Sequence, residues 1–194
     1  FVGRISTQAL LSTNIAIEIN FVALIPMFGF GMAVSILVGQ AQGREEPHIA
    51  QRSTWSAFSL TFTYMALLAL GLWQWPEVFL FPFSQNAADP QTFAEVVPLI
   101  KHLLCFVAIY CLFDTANIIC AAALKGAGDT RFVMIFSVTA HWVVMAFPCW
   151  LAIKYQWGPV GGLYVAWGFL TFFICILAVG FVMRFCQGKW KTMR

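Results

Sequence analysis

A carboxylate in the middle of a long apolar segment, Asp114, constrains this chain more than any other feature of its sequence. The segment runs from about Leu99 to Leu124 and ends at the glycine-rich, charged turn KGAGDTR, residues 125–131. An acid at the centre of a membrane helix costs roughly 2.5–3.5 kcal/mol, so it usually faces a bundle interior or a wet cavity. The plainer alternative is a buried, hydrogen-bonded structural acid. We predict that Asp114 is functional.

Two neighbours of Asp114 support a cation-coupling role. Thr115 and Asn117 offer further oxygens to a proton or a hard cation along about one helical turn, so Na⁺ bound at Asp114 is one hypothesis. Glu18 is a second acid inside an apolar segment, although it could lie near enough to the surface to be hydrated. A single histidine in an apolar helix is more often a packing residue than a proton relay. We therefore place Glu18 and His141 in a possible secondary polar site and give His102 less weight.

Composition places the chain in a membrane. Of its 194 residues, 61% are hydrophobic and 10% are charged, whereas soluble domains carry about 25% charged residues. The sequence predicts an all-α membrane protein with the lipid bilayer as a partner. It shows no nucleic-acid-binding pattern and no catalytic spacing of residues, so we predict neither nucleic acid binding nor an enzyme. The six cysteines lack C-x-x-C spacing, which favours small apolar membrane residues over disulfides or a metal site; no cofactor is expected.

Hydropathy predicts about five membrane spans. Their approximate ranges are 6–40, 54–75, 99–124, 132–153 and 160–185. Pro26 should bend the first span, and the glycines of two spans suit close helix contacts. These glycines are 39 and 43 in the first span and 161, 162, 168 and 180 in the fifth. The motif DPQTFAEV predicts a helix start, with Asp89 as N-cap and Pro90 at the first helical position.

Charge predicts the orientation. With the first span running inward, eight basic residues lie on the inner side and three on the outer side. The inner set is Arg44, Arg52, Lys125, Arg131, Arg184, Lys189, Lys191 and Arg194; the outer set is Arg4, Lys101 and Lys154. We expect a multi-pass protein of the plasma (inner) membrane with a cytoplasmic carboxyl terminus. The chain begins at Phe1 without a signal peptide pattern, which suggests a piece of a longer protein.

Two stretches resemble the MATE (multidrug and toxic compound extrusion) transporters. FDTANIICAAALKGAGDTR is similar to their tenth helix and the following loop, where F-D and then L-R/K-G-x-G-D-T recur. TQALLSTNIAIEINFVALIPMFGFGMAVSILVGQAQG is similar to their eighth helix, including P-x-x-G-x-G-x-A and V-G-x-x-x-G. The family fold has twelve helices in two six-helix lobes. The resemblance, which is to the NorM-like branch, implies that this chain is the carboxyl-terminal lobe without its first helix.

The resemblance also implies a function and a partner. The function is secondary active efflux of cationic amphipathic compounds by alternating access, in antiport against Na⁺ or H⁺. Asp114 matches the tenth-helix acid of the cation site, and the partner is the missing amino-terminal lobe of the same protein. The alternatives are a flippase of the same superfamily with a lipid-linked or other cargo, or a membrane subunit that transports nothing. A membrane enzyme ranks third.

Overall fold

The computed structural model describes residues 7–85, 90–148, 150 and 159–192. Within these ranges the chain is helical and contains no strand, which confirms the predicted all-α membrane class. The α-helices are α1 (Thr7–Gly43), α2 (Pro47–Gln74), α3 (Pro76–Gln85), α4 (Pro90–Gly126), α5 (Thr130–Ala140) and α6 (Pro159–Cys186). A π-helical turn, His141–Ala146, continues α5, and a 3₁₀ turn, Lys189–Thr192, follows α6.

Four of these helices are long and apolar enough to cross a membrane: α1, α2, α4 and α6. The apolar helix Thr130–Ala146 is shorter and coincides with the start of the predicted fourth span. The rest of that span, residues 149 and 151–153, lies outside the described part. The chain is therefore membrane-embedded, with four described candidate spans and a shorter apolar helix at the start of the predicted fourth span.

The helices extend beyond the spans that hydropathy marked. Helices α1 and α4 each have 37 residues, about 55 Å at 1.5 Å per residue, against a hydrocarbon core of roughly 30 Å. Helix α2 begins at Pro47, seven residues before the predicted span, because proline suits the first helical turn and polar residues can continue a helix outside the bilayer. Helix α4 begins at Pro90, as predicted; Asp89, its proposed N-cap, lies outside the described residues.

Helix α4 is the central element of the bundle. It packs against α1, α2 and α6, whereas α5 packs mainly against α6 and the π turn. Helix α1 remains helical through Pro26. The acid that the sequence singled out therefore lies on the helix with the most neighbours.

Small residues let α1 and α4 approach closely near their carboxyl ends. A Cβ atom at Gly126 would lie 2.3 Å from the backbone oxygen of Ser35, and one at Gly39 would lie 3.3 Å from the oxygen of Gly126. The prediction of close packing is confirmed for Gly39 but is wrong for Gly43, which has no atom within 4 Å of a Cβ position. Backbone contact at this point requires glycine in α4.

Helix α6 shows the same contrast between its glycines. A Cβ at Gly180 would meet the ring of Phe136 at 2.3 Å, so this predicted contact is confirmed. Gly168 has nothing within 4 Å and does not serve close packing among the described residues. The surroundings of the other two predicted glycines, 161 and 162, lie outside the description.

An ion pair stabilises the end of the bundle at which α1, α4 and α6 end. Arg184 Nε lies 2.6 Å from Asp129 Oδ2, and the guanidinium lies 4.6 Å from the ring centroid of Phe132. Both charged side chains are largely buried. This contact joins the end of α6 to the connection between α4 and α5. We call this part of the molecule the basic end, since the described members of the inner basic set lie at the helix ends and turns found here.

The 3₁₀ turn after α6 packs against the basic end. Trp190 is fully buried, stacks on Phe185 with ring centroids 5.0 Å apart, and donates from Nε1 to the Phe185 carbonyl at 2.8 Å. Gln42 of α1 donates to the Trp190 carbonyl at 3.1 Å. The chain after α6 therefore contacts α1 as well as its own helix.

Candidate cation site

Asp114 is buried in the middle of α4. Its exposed fraction is 7%, and Asn117, one turn later, donates from Nδ2 to Asp114 Oδ1 at 3.0 Å. Among the described residues no lysine, arginine or histidine forms an ion pair with Asp114. The carboxylate is thus removed from water and held by a neutral amide, an arrangement that leaves its charge uncompensated by the residues that the structure describes.

The turn before Asp114 adds a link to α1. Tyr110 and Cys111 precede Asp114 by four and three residues, so they share its side of α4. The Cys111 thiol donates to Asn20 Oδ1 of α1 at 3.5 Å, and the Thr115 hydroxyl donates to the Cys111 carbonyl at 3.3 Å. Thr115 is fully buried.

Helix α6 completes the same region. Trp167 stacks on Tyr110 with ring centroids 6.4 Å apart, and its Nε1 donates to the hydroxyl of Thr13 of α1 at 3.4 Å. Both rings and Thr13 are buried. We call this set the polar cluster: Thr13, Asn20, Tyr110, Cys111, Asp114, Thr115, Asn117 and Trp167. Three helices contribute to it, so a shift of any one of them changes the surroundings of Asp114.

The structure separates the predicted site residues into two groups. Asp114, Thr115 and Asn117 lie together. Glu18 is exposed, and it is two residues from Asn20, about 200° around α1, so it does not join the cluster. The prediction of a secondary site containing Glu18 is not supported by this placement.

The histidines also lie apart from the polar cluster. His141 is exposed at the start of the π turn and makes an edge contact with Phe173, with ring centroids 5.7 Å apart. His102 Nδ1 lies 2.8 Å from the Pro98 carbonyl, a contact within its own helix. The structure does not bring either ring to Asp114. Both contacts fit the packing role that is usual for single histidines in apolar helices.

Sequence reasoning missed the members of the cluster on α1 and α6. Thr13 and Asn20 are seven residues apart, so they lie on one face of α1 and break an otherwise apolar stripe; that spacing is a usable signal. Trp167 carried no such signal, because the chain has eight tryptophans and several suit the membrane surface. Tyr110 and Cys111 could have been found from their spacing to Asp114.

The donor set suits a proton or a hard monovalent cation. The cluster has one carboxylate and several neutral oxygens, from the Asn117 amide, the Thr115 hydroxyl and backbone carbonyls. No group of three or more His, Cys, Asp or Glu side chains that could hold a metal ion lies together in the described ranges. Any cation at this site would therefore depend on Asp114 for its charge neutralisation.

Comparison with known proteins identifies the family. The MatE family model matches residues 1–151. The "Probable multidrug resistance protein NorM" of Mesorhizobium japonicum is 31% identical over 156 residues, which are 80% of this chain and 33% of that protein. The protein of the same name from Brucella suis is 31% identical over 159 residues, covering 82% and 33%. That of Pseudomonas aeruginosa is 28% identical over 193 residues, covering 99% and 38%.

The chain thus spans about a third of the length of the curated relatives it matches. The match extends over the helix that carries Asp114 and over its partners on α1. The resemblance inferred from the two sequence motifs is confirmed by these matches: the chain belongs to the MatE family.

Proposed function

We propose that this chain is part of a secondary active exporter that moves cationic amphipathic compounds out of the cell in antiport against Na⁺ or H⁺. Family membership and the multidrug resistance names of its relatives support the transport of drugs. The observation that carries the proposal is Asp114: it is a buried acid within a membrane-spanning helix, and the hydrogen-bond donor that the described structure gives it, Asn117, is neutral.

A buried negative charge without a fixed counter-charge provides a simple basis for exchange. Burying a carboxylate is costly unless something neutralises it, so the site favours occupancy by a proton, a Na⁺ ion or a cationic compound. One carboxylate neutralises one positive charge, so two cations compete for it. That competition couples the exit of one cation to the entry of the other.

The energy available is sufficient for such coupling. Exchange of one monovalent ion for one monovalent cationic compound moves no net charge, so the membrane potential cancels and the concentration gradient of the ion drives the cycle. A tenfold gradient of the ion supplies about 1.4 kcal/mol, which is the cost of a tenfold gradient of the exported compound.

The proposed cycle needs a second lobe and a defined orientation. The chain corresponds to a third of its relatives, so we assign it to one lobe that rocks against another to expose Asp114 to each side in turn. The polar cluster draws on three helices, which makes it responsive to such a movement. We place the protein in the inner membrane with its basic end and carboxyl terminus in the cytoplasm, following the bias in basic residues.

Replacement of the charge tests the proposal. Asp114→Asn in the full-length protein keeps the shape of the side chain but removes its negative charge, so efflux should fall severely while abundance stays near that of the parent. Asp114→Glu should retain partial activity. The measurement is drug efflux from energised vesicles, with Na⁺ and proton gradients imposed separately.

Glu18→Gln is the matched comparison, because it removes an acid from a membrane-spanning helix at an exposed position. We expect it to leave efflux unchanged. Parent-like efflux by Asp114→Asn under either gradient would show that Asp114 is a packing residue and would refute the proposed coupling.

A further inference from the structure

A groove along α2 has an apolar part, between α1 and α2, and a basic part, lined by α2 alone, and it shares no residue with the polar cluster. The apolar part has a volume of about 470 Å³ and is lined by Phe30, Ala33, Val34, Leu37, Arg52, Ser53, Ser56, Ala57 and Leu60. The basic part, also about 470 Å³ in volume, is lined by His48, Gln51, Arg52, Trp55, Ser56 and Ser59. Arg52 and Ser56 line both parts, so the two form one continuous surface.

The basic part presents a cation that has no counter-charge in the described structure. Arg52 is exposed, and its guanidinium forms no hydrogen bond or ion pair with a described residue. A second cation contacts a residue of this part, because Lys191 Nζ donates to Gln51 Oε1 at 2.8 Å. The acids of the preceding connection, Glu45 and Glu46, do not line the groove. The groove is therefore suited to an anion.

The two parts lie side by side along α2, over residues 48–59 for the basic part and 52–60 for the apolar part. Within the apolar part, Arg52 lies in the second turn of α2, near the start of that helix, and Leu60 lies two turns further into the span. Both sides of the apolar part are open to the surroundings. Leu37 on α1 is 48% exposed, and Leu60 on α2 is 58% exposed. A phosphate at Arg52 would thus continue into an acyl chain along Leu37 and Leu60.

We propose that this groove binds an anionic phospholipid, with the phosphate at Arg52 and Ser56 and one acyl chain along the apolar part. A guanidinium binds phosphate through charge-assisted hydrogen bonds, and basic pockets between membrane helices are suited to anionic lipid headgroups. A free phosphate would satisfy Arg52 but would leave the apolar part uncovered. The two properties together select a lipid.

Native mass spectrometry of the full-length protein tests this site. Phosphatidylglycerol and phosphatidylcholine of the same acyl length are titrated onto the parent, onto Arg52→Gln and onto Arg44→Gln. Arg44 is the matched control, because it is an exposed arginine at the same end of the bundle that does not line the groove. We expect phosphatidylglycerol to bind the parent about tenfold more tightly than phosphatidylcholine, Arg52→Gln to lose that preference, and Arg44→Gln to keep it.

The source of the anion and the access to the groove are checked separately. Glycerol phosphate at the same concentration should fail to displace the lipid, and Leu60→Asp should weaken lipid binding although it leaves Arg52 in place. Ser56→Cys in the full-length protein should react with a membrane-permeable maleimide, and bound phosphatidylglycerol should slow the reaction.

Three results would overturn the proposal: equal affinity for the two lipids, equal losses in the two arginine variants, or a cysteine at position 56 that does not react. The last would show that another part of the protein covers the groove. Each readout is binding or labelling, so it is independent of whether the protein exports drugs. Since Arg52 and Arg44 are both exposed, their variants should fold, and gel filtration of each confirms this.

Discussion

Two buried acids of this chain have opposite surroundings. Asp129, at the basic end, is 5% exposed and pairs with Arg184 at 2.6 Å. Asp114, in the middle of the bundle, is 7% exposed and receives a hydrogen bond from the neutral amide of Asn117. Similar burial thus accompanies a fixed counter-charge at Asp129 and, among the described residues, none at Asp114.

The difference distinguishes a structural acid from one available for exchange. A fixed arginine neutralises Asp129 and joins the end of α6 to the connection between α4 and α5, so the pair stabilises the basic end. Asp114 has no such partner within the described residues, so its charge can be neutralised by a mobile cation. The same residue type therefore has two roles: the aspartate at position 129 stabilises the fold, and the aspartate at position 114 supports our proposed ion coupling.

The largest expected effect comes from breaking the fixed pair. Arg184→Ala leaves Asp129 buried without its counter-charge, which costs about 3–5 kcal/mol in the free energy of unfolding. Arg184→Ala combined with Asp129→Ala should be less damaging than the sum of the two single variants, because it removes both charges. Thermal unfolding of the four proteins in detergent measures the coupling. Additive losses would show that the pair is not a unit and would remove the contrast with Asp114.

A second test asks whether the basic end is also closely packed. Gly126→Ala places a Cβ 2.3 Å from the Ser35 oxygen and must push α1 and α4 apart, at a cost of about 1–3 kcal/mol. Gly43→Ala is a matched control, because it too changes the last residue of a 37-residue helix but meets nothing within 4 Å. We expect Gly126→Ala to unfold at a lower temperature than Gly43→Ala. Equal unfolding temperatures would mean that α1 and α4 pack less closely at Gly126 than the structure shows.

The polar cluster should be held by weaker, neutral contacts. Thr13→Val removes the oxygen that accepts from Trp167 but keeps the volume, so we expect a loss of about 0.5–1.5 kcal/mol. Thr13→Ser keeps the acceptor and should lose less. A loss in Thr13→Val as large as that in Arg184→Ala would contradict the view that the middle of the bundle is less firmly fixed than its basic end.

The smallest expected effect concerns the exposed pair of Glu77 and Lys101. The hydrogen bond from Lys101 Nζ holds the pKa of Glu77 below its ordinary value of 4.5, so the pair contributes stability that is fully present above that value. The contribution is lost as the pH falls through the lowered pKa of the folded state. The difference in unfolding temperature between the parent and Glu77→Gln should therefore be small at neutral pH and vanish in acid. A difference in unfolding temperature that grows as the pH falls would contradict this prediction.

The sequence predicted the features that depend on local composition. The long apolar helices, the start of α4 at Pro90 and the burial of Asp114 inside the bundle follow from hydropathy, proline geometry and the cost of exposing a charge to lipid. Helix ends were placed less well, since α2 begins before its apolar part. Glu18 and Asp114 looked alike as acids in apolar segments, and the rotation of α1 in the bundle separates them.

Contacts between distant residues could not be predicted from one sequence. Asp129 and Arg184 are 55 residues apart, and each alone reads as an ordinary charge at a membrane surface. No sequence pattern singled out Trp190, yet it is fully buried. These outcomes depend on how the helices pack, which neither periodicity nor composition specifies.

Ion release on drug binding tests the central claim most directly. Purified full-length protein is loaded with ²²Na⁺ or equilibrated in a weakly buffered solution, and a cationic drug is then added while released Na⁺ or H⁺ is measured. The account predicts that the parent and Glu18→Gln release the ion, whereas Asp114→Asn releases none, because drug and ion compete for the charge of Asp114. Release of the same amount of ion by Asp114→Asn and the parent would contradict the account.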